Sequence, residues 1–69
     1  MSFTVLLFAL LLRQHSIEIL PGQRVAIFRQ EHVKEMNTYL NNDEVRNFMK
    51  KKVISIIKIG KNLKIVYKN

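Results

Sequence analysis

The stretch from Val53 to Tyr67 constrains the fold more than any other. Two runs rich in β-branched and aromatic residues, Val53 to Ile59 and Leu63 to Tyr67, flank Gly60-Lys61-Asn62. That composition predicts a β-hairpin closed by a three-residue loop, with Gly or Asn in the left-handed position. In the second run Leu63, Ile65 and Tyr67 share one face, and Lys64, Val66 and Lys68 share the other. In the first run Ser55, Ile57 and Ile59 face one way and Ile54, Ile56 and Lys58 the other, so both faces are partly apolar. A lone hairpin is marginal in water. The chain before it has to supply the cover.

Charge singles out the same region. Lys50 to Asn69 holds seven of the twelve basic residues and none of the five acidic ones, while up to Met49 the two signs balance. The net charge of +7 therefore sits in the last twenty residues, all of it as lysine. Two readings compete. In one, the strand lysines are a solvated face that discourages edge pairing, and Lys50 to Lys52 are cations favoured at a helix C-terminus. In the other, Lys50, Lys51, Lys52, Lys58, Lys61, Lys64 and Lys68 form a phosphate-binding surface. Without arginine, such a surface makes point-charge contacts to a backbone and reads no sequence. Tyr67, beside Lys68 and near an exposed end, is the aromatic residue expected to stack on bases. Phe28 and Phe48 are expected in the core.

At the other end, Val5 to Leu12 is an unbroken apolar block of eight residues. It is far short of the ~20 residues of a membrane span, and it lacks the preceding positive charge and following cleavage site of a secretory signal. Its leucines and Ala9 favour helix, whereas Phe3, Thr4, Val5 and Phe8 favour strand. Length and the strand-like sequence that follows predict a buried strand.

Pro21-Gly22 separates two short runs, Ile17 to Leu20 and Gln23 to Phe28. Pro followed by Gly suits a type II turn, so this stretch is expected to be a second hairpin or two strands meeting at a corner. From Gln30 the period changes: Val33, Met36 and Leu40 mark one helical face, with Tyr39 beside it. Asn41-Asn42 interrupts the stripe. Either asparagine can cap a second short helix with Asp43 and Glu44 in its first turn and Val45, Phe48 and Met49 on its buried side.

Little points to catalysis or to a cofactor. His15 and His32 lack a metal-ligand pattern. Glu31 and Glu35 read as exposed helix acids with Arg29 and Lys34 within reach, and no serine has a nucleophile-elbow context. There is no cysteine, hence no disulfide or thiolate. A chain of 69 residues with 48% hydrophobic content and no staple needs burial beyond its own core, so homodimerisation or partner binding is expected.

The expectation is one small α+β domain over residues 1–69: a mixed or antiparallel sheet, one broken helix or two short ones, and a C-terminal β-hairpin. As a function, it is a non-enzymatic module without cofactor or metal, set in a reducing cytoplasm, binding nucleic acid through the lysine-rich hairpin. The alternative is a protein-interaction module, a homodimer or a small inhibitor or adaptor of an acidic partner protein, using the apolar N-terminal segment. A weaker alternative is peripheral membrane attachment, combining that segment with lysines drawn to anionic lipid.

Overall fold

The N-terminal apolar block is a helix, not the strand that its length and neighbours predict. The computed structural model describes residues 2–69, with α1 spanning Phe3–Gln14. Ser2 is its N-cap, its Oγ accepting from the Val5 amide at 3.1 Å, which satisfies one of the free amides of the first turn. The buried residues are Val5, Phe8, Leu11 and Leu12, a helical stripe that the apolar residues around it hide in the sequence.

Two strands follow directly, β1 (Ser16–Leu20) and β2 (Gln23–Phe28). They pair antiparallel, with Leu20 opposite Gln23, so the connection is a true hairpin with Pro21-Gly22 as a two-residue loop. Gly22 has φ of 80°, the value that a type II turn demands at its second central residue. Such a turn twists against its strands. The ladder accordingly loses register between Glu18 and Leu20.

Two helices come next, α2 (Gln30–Leu40) and α3 (Asp43–Lys52). Asn42 is the break between them: its Oδ1 accepts from the amides of Glu44 (2.9 Å) and Val45 (3.2 Å). Asp43 and Glu44 sit at the positive end of α3 and Lys50 to Lys52 at its negative end. Replacing Asn42 by Ala should cost about 1 kcal/mol, read as a lower urea midpoint, whereas Asn42→Asp should retain most of it. An unchanged midpoint in the alanine variant would mean that α3 does not depend on this cap.

The C-terminal hairpin is β3 (Val53–Ile59) and β4 (Asn62–Lys68). Ile59 opposes Asn62, so the loop is the two residues Gly60-Lys61, shorter than the expected three, with Asn62 already in the strand. Gly60 has φ of 63° and Lys61 does not have positive φ, the signature of a II′ hairpin turn, whose twist matches the strands. Asn62 uses its side chain elsewhere, accepting from the Gln30 amide at the start of α2 (3.1 Å).

The four strands form one sheet in the order β1-β2-β4-β3, all neighbours antiparallel. The chain is thus two helix–hairpin halves, α1-β1-β2 and α3-β3-β4, joined by α2. Their second strands meet at the centre of the sheet, as a pseudo-two-fold arrangement requires. Each half also loses register in its first strand, the second time between Val53 and Ser55. The core lies on one face of the sheet. Ala26, Phe28, Leu63, Ile65 and Tyr67 meet Val5, Phe8, Leu11, Leu12, Met36, Val45 and Met49 from the three helices. The fold is the small α+β domain expected.

Candidate interaction surfaces

Among the described residues, all three helices lie on one face of the sheet and the other face is bare. Residues directly opposite each other across a ladder share a face, so the register gives its contents. Ile17 lies beside Val25, Val25 beside Val66 and Val66 beside Ser55. In the next row Ile27, Lys64 and Ile57 are neighbours. Leu20, Gln23 and Lys68 close one end, and Ile59 and Asn62 the other. Five of these are exposed large aliphatics: Ile17, Leu20, Ile27, Ile57 and Ile59. No acidic residue is among them. Lys64 is half-buried between two isoleucines, with its stem covering apolar surface and its charge unopposed.

The seven lysines do not converge on this face. Lys64 and Lys68 lie on it, and Lys61 stands at the turn that borders it. Lys58 opposes Leu63 and therefore belongs to the helix side of edge strand β3. Lys50, Lys51 and Lys52 end α3, also on the helix side, where Lys52 lies 6.0 Å above the Phe48 ring.

Tyr67 departs from the expected exposure. Its side chain is in the core at 7% exposure, and its hydroxyl lies 2.9 Å from Ser16 Oγ. Ser16 donates to the Arg13 carbonyl (3.1 Å) and accepts from Arg24 Nε (2.8 Å), so Tyr67 is the donor in that pair. The bare face holds no aromatic side chain among the described residues, which removes the stacking platform that single-strand binding uses.

A second surface lies on α1. Phe3, Leu6, Leu7 and Leu10 are exposed, and their spacing of i, i+3, i+4 and i+7 makes a continuous stripe along the helix. This helix is apolar on both sides, one facing the core and one facing solvent. At the Leu10 end, a depression of about 210 Å³ opens between α1 and α3, lined by Ala9, Leu10, Phe48, Tyr67 and the cations Arg13 and Lys52, among others. The sequence carries a signal for both surfaces. Ile17 and Ile27 follow strand alternation and the α1 stripe follows helical spacing, but an apolar side chain reads as inward until the topology is known.

The histidines do meet in space. The His15 and His32 rings are 5.0 Å apart, His15 also packs on Phe28, and His32 Nε2 lies 3.4 Å from Glu31 Oε1. Among the described residues no group of three His, Cys, Asp or Glu is placed to hold a metal ion. Nor is any described helix long and apolar enough to cross a membrane. No protein-family model, curated protein or solved structure matches the chain.

Proposed function

We propose that this chain is a non-enzymatic protein-interaction module whose bare sheet face binds an acidic, amphipathic segment of a partner protein. The observation that carries this reading is the content of that face: exposed aliphatics around Lys64 and Lys68, without a carboxylate. Apolar surface of this extent on a small protein marks a contact site. Pressing it against a neutral apolar partner would strip water from Lys64 without compensation, a costly burial. A segment alternating aliphatic and acidic residues meets both demands at once.

A second reading is nucleic-acid binding through the lysines. It is favoured by the absence of any acid over the last twenty residues. Lys61, Lys64 and Lys68 would then contact phosphates, with Lys58 and Lys50 to Lys52 assisting from the other side, and without sequence preference. The aliphatic side chains would contribute nothing to it.

One experiment separates the two. The purified chain is titrated with an alternating Ile/Glu peptide, its Ile/Lys counterpart and a generic DNA duplex, at two salt concentrations. The Ile/Glu peptide should bind best. Lys64→Gln/Lys68→Gln should weaken it about tenfold and Ile27→Thr/Ile57→Thr about 30-fold, each aliphatic contributing about 1 kcal/mol from half-burial. Threonine keeps the β-branch, so the strands survive the change. A duplex held by three lysines would instead weaken roughly 40-fold over a fourfold rise in salt and ignore the isoleucine changes. That pattern transfers the function to the second reading, and no binding of peptide or duplex defeats both.

A further inference from the structure

We propose that two copies of this chain associate through α1, packed antiparallel about a two-fold axis near Leu6 and Leu7. In that register Phe3 of each copy lies against Leu10 of the other, and Leu6 against Leu7. This surface is separate from the sheet face, and the inference stands if the acidic-partner reading fails.

The occupant follows from charge. Phe3 to Leu12 carries no charged side chain, so the stripe meets its own copy without burying one. The sheet face does not have that property. Set against itself, it would bring Lys64 and Lys68 onto a surface that again holds lysines and no acid, and like charges would oppose contact. Of the two apolar surfaces, only the α1 stripe is self-complementary, as an isologous interface must be.

Shape agrees. Phe3 is the most exposed large hydrophobic residue among those described, at 74%. Antiparallel packing carries it to the Leu10 end of the partner helix, the mouth of the 210 Å³ depression. Its ring would meet apolar walls there, with Arg13 and Lys52 at the rim placed to lie over it. The symmetric contact forms seven residues along α1, about 10 Å away at the rise of an α-helix.

Area sets the strength. The four side chains present on the order of 300 Å² per copy and 600 Å² between two, well under the ~1,200 Å² of a standard stable interface. The dimer is therefore weak, with a dissociation constant in the micromolar range.

Sedimentation equilibrium over a concentration series of the whole 69-residue chain tests this. Wild type should pass from monomer to dimer across tens of micromolar. Leu6→Glu/Leu10→Glu should raise the dissociation constant at least 100-fold, while helical circular dichroism and the urea midpoint of the monomer stay unchanged, since both positions face solvent. Register is tested by mixing. Leu6→Glu and Leu7→Lys should each be monomeric alone and should form a heterodimer together, because the introduced carboxylate of one copy then meets the introduced ammonium of the other. A wild type that stays monomeric, a dimer that survives Leu6→Glu/Leu10→Glu, or a mixture that fails to pair would each overturn the proposal. Binding of a monomeric wild type to anionic vesicles would overturn it too, by giving the stripe to lipid.

Discussion

Replacing Phe8 by Ala should leave most of the chain unfolded at room temperature. Phe8 is fully buried, and its ring lies 5.8 Å from that of Tyr39 on α2 and 6.1 Å, edge-on, from that of Phe48 on α3. It is the side chain through which α1 holds both other helices. Truncating a core phenylalanine costs about 3–5 kcal/mol, while the single core of a chain this short rarely supplies more than about 3–5 kcal/mol in total. No disulfide offsets the loss. Urea unfolding followed by far-ultraviolet circular dichroism gives the test, with Phe8→Leu as the control that keeps most of the volume and should stay folded with a lower midpoint. A Phe8→Ala variant with the wild-type midpoint would show that α1 is not part of the cooperative core.

The same helix marks the limit of what its sequence reveals. In α2 and α3 polar residues break up the apolar ones, so Met36, Val45 and Met49 stand out at helical spacing and all three are buried. In α1 two stripes share one helix. Val5, Phe8 and Leu12 face in while Phe3, Leu6, Leu7 and Leu10 face out, and together they erase the period. Ser2 is the remaining local clue, since a serine just before an apolar run is a helix N-cap signal. In the hairpins, alternation along β4 is legible because lysines mark its solvent side. Nearness to the chain end suggests exposure for Tyr67, whereas its parity with Leu63 and Ile65 puts it in the core. The candidate surfaces are harder to foresee. An apolar residue is read as buried until the topology shows that nothing covers it, and that depends on all three helices choosing the same face.

Both surfaces are consequences of how the two halves combine. The three helices together bury one side of the paired hairpins, with α2 on the central strands β2 and β4, and leave the other side bare. Joining two halves through β2 and β4 extends the sheet to four strands and doubles both the covered and the bare face. The halves differ where function would differ. α3 carries Lys50 to Lys52 and its solvent side is polar, while α1 carries leucines there. One helix is finished as a surface and the other is not, which is why association is assigned to α1.

The two halves are tied by a small polar network, and breaking its centre should cost more than trimming its edge. Ser16, in β1, receives the hydroxyl of Tyr67 from β4 and the Nε–H of Arg24 from β2, and gives its own proton to the Arg13 carbonyl at the end of α1. Arg24 also donates to the Ser16 carbonyl at 3.1 Å. Tyr67→Phe removes one donor and leaves Ser16 with its other two partners, a loss of about 1 kcal/mol. Ser16→Ala strands the buried Tyr67 hydroxyl and the half-buried Arg24 Nε without their acceptor, and should cost about 1–3 kcal/mol. The two changes share a partner, so they should not add. In the double variant the stranded hydroxyl is gone, and it should be no less stable than Ser16→Ala alone. Urea midpoints of the three variants measure this directly. Equal losses for the two single variants, with a fully additive double, would mean that the three side chains act independently and that packing alone holds the hairpins in register.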